Sequence, residues 1–172
     1  AGIAIWRFHD HMHMDPNDGI FRGFSEETGW DRYSMAEEEC PAFPGGKHFK
    51  GFYQMPETTL GSLTDFLKQR LNLPTIRLIG DPEMPVKRVA LMPMDWLRKY
   101  NLDVMLCGEV TEWTLPAYVR DAYQLGMAKA IIILGHERSE AWGMKHLGAW
   151  MKSITGDIPV TYVESGEPFQ YR

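Results

Sequence analysis

The later half of the chain alternates short apolar runs with amphipathic segments. Residues 102–107, which are apolar apart from Asp103, and the continuous apolar run at residues 130–134 have the length and composition of buried strands. An amphipathic segment over residues 114–125 lies between them and has the pattern of a helix. A further strand is predicted at residues 86–92 and a further helix at residues 141–151. This order of elements predicts an α/β fold with a mixed, largely parallel sheet and flanking helices.

The earlier half of the chain carries further strands and two capped helices. An apolar run over residues 3–8 predicts a strand, and Asp18 is a capping residue for a helix over residues 19–28. Thr58 or Thr59 caps a second helix, which has an apolar stripe of leucines. The remaining predictions are strands at residues 47–55, 75–80 and 158–163, a brief helix at residues 95–100, and a loop or hairpin region at residues 30–46.

Composition and charge narrow the class of protein. The length of 172 residues suits a single domain, and 44% hydrophobic with 24% charged residues is ordinary for a globular protein. A formal net charge of −5 argues against broad binding to nucleic acid or to anionic membranes. No apolar run approaches the ~20 residues of a membrane helix. Cys40 and Cys107 lie outside any Cys-x-x-Cys motif, a pattern that favours a reducing, cytoplasmic location.

Three of the six histidines lie within five residues of one another. His9, His11 and His13 directly follow the strand predicted at residues 3–8, and an extended chain would place the three imidazoles on one side. Neutral imidazole is a common metal ligand, so the cluster indicates a metal site. The alternative is a histidine-rich surface that binds nothing.

A second candidate site lies where the strand over residues 130–134 passes into a helix. His136 and Glu140 flank this turn, and Ser139 is a helix-capping residue. A separation of four residues lets an imidazole and a carboxylate point at one metal ion, whereas the alternative is an exposed histidine and a glutamate favoured by the helix dipole. Glu109 follows the neighbouring strand, and the carboxyl ends of parallel strands share one edge of a sheet. We therefore expect Glu109 to lie near His136.

These residues together resemble a known family. The Gly-Glu strand exit at residues 108–109 and the Gly-His-x-x-Ser-Glu turn at residues 135–140 are similar to the carboxyl-terminal half of the Nif-three-like proteins. These are dinuclear-metal-centre proteins, also known as GTP cyclohydrolase type 2 homologues. A looser similarity extends across nearly all 172 residues. The resemblance implies an α/β fold of two related lobes that assemble into rings, with metals in a central crevice.

The resemblance also implies a set of metal ligands. In the family, histidines of an early motif, an aspartate in a His-x-x-x-Asp motif, and a late His and Glu bind two divalent metals. His136 and Glu140 match the late pair, His9 matches the histidine of the middle motif, and His13 stands where the family has its aspartate. The early histidine motif has no counterpart here. We therefore expect residues 1–172 to form a single Nif-three-like region that lacks an upstream segment.

Two functions are compatible with this ligand set. The first is a metal-dependent, cyclohydrolase-like hydrolase that acts on a small or phosphorylated, purine-like substrate. It would use one or two divalent ions (zinc, iron, manganese, nickel or cobalt) at His9, His13, His136 and Glu140. Such an ion lowers the pKa of water, and Glu109 would move protons or orient that water. The alternative is that the Glu109 carboxylate hydrogen-bonds a metal ligand or caps a helix. The second is a non-catalytic metal-binding or interaction protein that forms a ring-shaped homo-oligomer such as a hexamer, with tryptophans as interface anchors.

Overall fold

The computed structural model describes residues 2–15, 17–42, 48, 50–91, 97 and 100–172. This part of the chain contains five strands, five α-helices and two short 3₁₀ helices, Asp31–Tyr33 and Glu37–Glu39. The strands are β1 (Phe52–Thr59), β2 (Arg77–Ile79), β3 (Pro85–Leu91), β4 (Val104–Cys107) and β5 (Ala130–Ile133). The helices are α1 (His9–Met14), α2 (Gly19–Thr28), α3 (Leu60–Arg70), α4 (Leu115–Gln124) and α5 (His136–Ile154).

The strands form one sheet in the order β1-β3-β4-β5-β2. The three central strands are parallel, while β1 and β2 run antiparallel at the two edges. Every residue of β4 and β5 is buried, as expected for parallel strands that are covered on both faces. The predicted α/β fold with a mixed, largely parallel sheet is therefore confirmed.

Pro56 lies within the edge strand β1. Proline cannot donate a hydrogen bond to a neighbouring strand, so it is tolerated mainly at edges and bulges. Consistent with this rule, the pairing of β1 with β3 shifts register between Gln54 and Thr58. The strand predicted at residues 47–55 is observed from Phe52 to Thr59, and residues 47 and 49 lie outside the described part of the chain.

Two helices are capped at the residues that the sequence indicated. The Asp18 carboxylate accepts a hydrogen bond from the backbone N–H of Phe21 at 3.2 Å, and α2 ends at Gly29, whose φ is 71°. Thr59 caps α3 by accepting a hydrogen bond from a backbone N–H in the first turn. The leucine stripe of α3 is buried, namely Leu60, Leu63, Leu67 and the adjoining Leu71.

Among the described residues, no helix has both the length and the apolar character needed to cross a membrane.

Two predicted strands are wrong. Residues 3–8 and residues 158–163 have no regular secondary structure, although both segments carry apolar side chains. A strand needs a hydrogen-bonded partner, and in the described part of the chain neither segment pairs with the sheet. The brief helix predicted at residues 95–100 falls mainly on residues outside the described part of the chain.

Both cysteines are free and buried. Burial raises the pKa of the Cys107 thiol to about 12 and also raises the pKa of Cys40. Since the thiolate is the reactive form, neither side chain is a nucleophile at neutral pH. Cys107 is part of the packing around β4, as its position in an apolar strand indicated.

Two glycines bring α2 and α5 into close contact. A Cβ atom at Gly23 would overlap the backbone of Trp142, and a Cβ atom at Gly143 would overlap Ile20. The two helix backbones therefore approach more closely than larger side chains would allow. This contact holds the first turns of α5 beside α1 and α2.

Candidate metal centre

Helix α5 begins at His136, which is separated from the end of β5 by two residues and is earlier than the predicted start at residue 141. Gly135 precedes the helix with a φ of 98°, a conformation that favours glycine. Ser139 is not the capping residue but lies in the first turn, where its hydroxyl donates a hydrogen bond to the His136 carbonyl at 2.8 Å. The earlier start places His136 and Glu140 one helical turn apart, so their side chains share a face.

The clustered histidines lie on the short helix α1, and the prediction of an extended segment is wrong. On a helix, residues four apart share a face and residues two apart do not. His9 and His13 are therefore neighbours, with ring centroids 4.9 Å apart. His11 is exposed and stacks on Phe8 with a centroid distance of 5.1 Å, so the expectation that His11 projects with the other two is also wrong.

Glu140 on α5 contacts His9 and His13 on α1. Its Oε2 atom lies 2.7 Å from Nε2 of His9 and 3.4 Å from Nε2 of His136. Its Oε1 atom lies 3.8 Å from Nε2 of His13. Histidine, cysteine, aspartate and glutamate side chains can bind metal ions. Within the described ranges, His9, His13 and Glu140 form the one group of three such side chains whose ligand atoms all lie within 4.8 Å of one another. This geometry is compatible with a metal ion.

A carboxylate lies behind each of the three histidines. In every case the ring Nδ1 faces a carboxylate oxygen: His9 faces Asp10 at 3.1 Å, His13 faces Asp18 at 3.1 Å, and His136 faces Glu109 at 3.4 Å. Asp10 and Asp18 are placed to accept the Nδ1–H hydrogen bond, whereas the contact between His136 and Glu109 is an ion pair without a hydrogen bond. In a neutral imidazole such a hydrogen bond leaves the Nε2 lone pair free. Metal-binding histidines usually show this arrangement, because the carboxylate fixes the ring and raises its basicity.

Sequence reasoning missed Asp10 and Asp18 as parts of this site. Asp18 was predicted only as a helix cap, but its two oxygens act separately: Oδ1 accepts from the Phe21 N–H and Oδ2 accepts from His13. The chain contained a signal, since Asp10 adjoins His9 and Asp18 follows His13 by five residues. Each imidazole thus has a carboxylate within local reach.

The pKa values show how strongly these groups interact. Hydrogen bonds to Asp18 and Glu140 raise the pKa of His13 to about 9. Burial lowers the pKa of His9, but its hydrogen bonds to Asp10 and Glu140 outweigh burial and raise it. Burial likewise acts to raise the pKa of Glu140, but hydrogen bonds from His13 and His9 hold that pKa at about 2. The protons on these imidazoles occupy positions that a cation takes when it binds.

A cavity of about 340 Å³ opens beside this group of side chains. Glu109 lines the cavity close to His136, so the predicted proximity of the two strand exits is confirmed. Gly108 permits this approach, because a Cβ atom there would lie 2.6 Å from Oγ of Ser139 and 2.8 Å from Cα of His136. The other lining residues are Val110, Thr111 and Glu140.

The fold and the candidate centre define an α/β protein whose histidines and carboxylates gather beyond the carboxyl ends of parallel strands. The model of the Duf34/NIF3 (NGG1p interacting factor 3) family matches residues 2–167. The chain therefore belongs to the Duf34/NIF3 family, which confirms the resemblance seen in the sequence motifs. No curated protein matches the chain.

Solved structures show the same fold. Protein ybgI, of unknown function, has a TM-score of 0.64 and 20% identity over 94% of this chain and 60% of its own. The hypothetical protein SA1388 of Staphylococcus aureus has a TM-score of 0.56 and 20% identity over 70% of this chain and 36% of its own. A Bacillus cereus protein related to NIF3 has a TM-score of 0.51 and 18% identity, covering 72% and 36%. The chain thus spans between 36% and 60% of these proteins.

Proposed function

We propose that the chain binds divalent metal through His9, His13, His136 and Glu140. The observation that carries this proposal is the group of His9, His13 and Glu140, whose ligand atoms lie within 4.8 Å of one another. His136 lies outside that group, but its Nε2 atom is 3.4 Å from Oε2 of Glu140. Mixed imidazole and carboxylate ligands suit zinc, iron, manganese, nickel or cobalt. One or two ions per chain fit this donor set, since the two oxygens of Glu140 face different histidines.

The activity that we propose for this centre is metal-dependent hydrolysis of a small or phosphorylated, purine-like substrate, as in a cyclohydrolase. A divalent ion supplies Lewis acidity and lowers the pKa of water. Glu109 lines the 340 Å³ cavity, and its Oε1 atom lies 3.4 Å from Nδ1 of His136. In this position Glu109 takes up and returns a proton, a role worth about 10²- to 10⁴-fold in rate.

The experiment is a hydrolysis screen of the metal-loaded protein against nucleotides, phosphoesters and cyclic amides. His136→Ala should lose bound metal and turnover together, whereas His11→Ala, a histidine outside the group, should keep both. Glu109→Gln, assayed at saturating metal, should lose about 10²- to 10⁴-fold in rate if Glu109 carries the proton. Turnover that is unchanged in His136→Ala would contradict the proposed site.

A second candidate function is a non-catalytic metal-binding or interaction protein, assembled as a ring-shaped homo-oligomer such as a hexamer. It is favoured by exposed tryptophans: Trp6 is 70% exposed, Trp113 84% and Trp150 44%, whereas Trp30 lies in the core. Tryptophan is enriched at protein interfaces, where it anchors the contact. A metal-loaded protein that binds compounds of the screen without hydrolysing them would favour this function.

For either function, the two buried, free cysteines support a cytoplasmic location.

A further inference from the structure

Residues 158–163 have the composition of a strand but no strand partner in the single chain. The run is rich in β-branched and aromatic residues, which favour strands. In the part of the chain that the structure describes, no backbone N–H or carbonyl of residues 159–172 is hydrogen-bonded to another backbone group. A row of unpaired backbone groups is a template on which a strand of another chain can pair.

The segment lies along α5 and is largely extended. A Cβ atom at Gly148 would lie 3.6 Å from Cβ of Tyr162, and one at Gly135 would lie 3.1 Å from Oε2 of Glu167. The helix rises about 20 Å between these two glycines. Five residues of chain, from 162 to 167, reach at most about 18 Å when fully extended. Residues 162–167 therefore run antiparallel to α5 in a conformation close to that of a strand.

The side chains of this segment alternate as they do on a strand. Val160 is half-buried and Tyr162 lies against α5, whereas Thr161 is exposed and Val163 is 78% exposed. Successive side chains of a strand point to opposite faces in the same way. One face of the segment therefore covers α5, and the other face is open to solvent.

The sheet of the same chain does not supply the partner strand. Nη1 of Arg138 lies 3.5 Å from Oε1 of Glu164, and this ion pair joins the segment to the first turn of α5. The segment is thereby held on the helix, and none of its residues pairs with the edge strands β1 and β2 in the described part of the chain. A strand that pairs with it comes from another chain.

We propose that residues 158–163 pair with the same residues of a second copy of this chain, as two antiparallel strands related by a two-fold axis at Thr161. A two-fold axis between antiparallel strands places residues of the same face opposite each other. Thr161 then lies opposite Thr161 of the second copy, and Val160 lies opposite Tyr162. Pairs of threonines, and pairs of a β-branched with an aromatic residue, stabilise antiparallel strands.

This register also suits the charges and the proline of the segment. Residues 158–163 carry no charged side chain, and Glu164 lies opposite Ile158 and not opposite another carboxylate. Pro159 lies opposite Val163, in a pair of the type that exchanges no hydrogen bonds when the neighbouring pair does. The segment is thus complementary to itself, which favours a second copy over an unrelated peptide. The pairing needs neither metal nor turnover, and in the ring-shaped oligomer proposed above it forms one of the interfaces.

Thr161→Cys tests the register of the pair. Opposite residues of antiparallel strands have Cα atoms about 4.5–5.5 Å apart, a distance that a disulfide spans. Val163→Cys is the control, since its two sites would be offset by four residues and lie about 13 Å apart or more. Mild oxidation should link Thr161→Cys chains into pairs about tenfold or more faster than Val163→Cys chains, because pairing raises the effective concentration of the second thiol. Non-reducing electrophoresis measures the rates, and Cys40 and Cys107 are buried.

Val160→Pro tests the hydrogen bonds of the pair. The N–H of Val160 has no backbone partner within the described part of the single chain, so its removal breaks no backbone hydrogen bond of that chain. It should remove one hydrogen bond per copy from the pair and weaken self-association about tenfold or more. Val160→Ala keeps the N–H and should weaken self-association far less. Sedimentation equilibrium of the chelator-treated proteins measures the dissociation constants, and circular dichroism reports whether the fold is retained.

The outcomes separate this pairing from the proposed functions. Equal rates of linking for Thr161→Cys and Val163→Cys, or a folded Val160→Pro that self-associates as tightly as Val160→Ala, would overturn the pairing. An unmodified chain that stays monomeric would also overturn it. A protein that forms the pair but binds no metal would overturn only the metal centre, and one that stops at a dimer would overturn only the ring.

Discussion

The two oxygens of the Asp18 carboxylate make separate hydrogen bonds. Its Oδ1 atom caps α2 through the Phe21 N–H, and its Oδ2 atom accepts the hydrogen bond from Nδ1 of His13. The residue is buried, with 9% of its surface exposed, so both contacts are shielded from water. Asp18 thus couples the start of a helix to the orientation of a proposed metal ligand.

Replacing Asp18 with asparagine tests that coupling. We expect Asp18→Asn to weaken metal binding about 10- to 100-fold, since partners behind metal-binding histidines commonly contribute this much. The loss of helix stability should be small, because asparagine is also a good capping residue. Metal titration measures the affinity, with Asp121→Asn on the exposed face of α4 as the control. Equal affinities in the two variants would contradict the role given to Asp18.

The raised pKa of His13 makes metal binding depend on pH. In the metal-free protein His13 holds its proton up to about pH 9, compared with 6.5 for an ordinary histidine. A metal ion needs that lone pair, so binding releases the proton and the apparent affinity should rise as the pH increases toward 9, by up to about tenfold per unit. Calorimetry in buffers of different ionisation enthalpy measures both the affinity and the proton. An affinity that falls over this range would contradict the assignment.

The raised pKa of His13 affects the stability of the metal-free fold in the opposite direction, since that stability falls as the pH increases. Because the folded-state pKa of His13 lies above the unfolded value, its protonation stabilises the fold fully below about pH 6.5. This contribution is lost as the pH rises through about 9. Chelator-treated and metal-loaded protein should therefore diverge in stability as the pH increases, with the metal-loaded form gaining.

At the level of elements, the contact between α2 and α5 decides whether Glu140 reaches α1. Gly143→Ala should destabilise the protein by about 1–3 kcal/mol, because the added methyl group would overlap Ile20 and the helices must separate. Gly148→Ala in the same helix is the control, since its Cβ atom meets Tyr162 at an ordinary 3.6 Å. That change should stabilise the helix by up to about 1 kcal/mol. Urea unfolding compares the two variants, and a Gly143→Ala protein as stable as Gly148→Ala would refute the close contact.

The central strands could be predicted because strands buried on both faces have apolar residues at successive positions. Residues 104–107 and 130–133 are apolar without alternation, and they form the buried parallel strands β4 and β5. Residues 3–8 and 158–163 give a similar apolar signal, yet neither pairs with a strand among the residues that the structure describes. A short apolar run cannot distinguish a strand from an extended segment that covers a helix. The partner that makes a strand is set by tertiary structure.

The candidate centre was predicted in part because strand and helix geometries agree at one spacing. Side chains four residues apart share a face in both, so His9 and His13 come together although the predicted strand is a helix. His11, two residues from each, shares their side only in a strand. The prediction that His11 lies beside His9 and His13 is therefore wrong, because the segment is a helix and not a strand. The second role of Asp18 depends on how α1 folds back on α2, which residue types alone do not reveal.

At the scale of the whole molecule, exposed aromatic side chains call for a partner surface. If the chain forms the ring-shaped oligomer proposed above, light scattering at micromolar concentration should give a multiple of the chain mass, sixfold for a hexamer. Trp113→Ser should lower that mass, because the side chain is 84% exposed in the single chain and would anchor an interface. A mass equal to one chain for the unmodified protein would contradict the oligomer.

The centre itself is assembled from α1, α5 and the exit of β4, all within the described part of the chain. The most direct test is therefore the number of metal atoms per chain after purification and reloading, measured by elemental analysis. We predict one or two divalent ions in the unmodified chain and in His11→Ala, and loss of metal in His13→Ala and Glu140→Gln. His11 is a stringent control, since it lies on the same short helix as His13. No metal in the unmodified chain, or equal loss in His11→Ala and His13→Ala, would contradict the account.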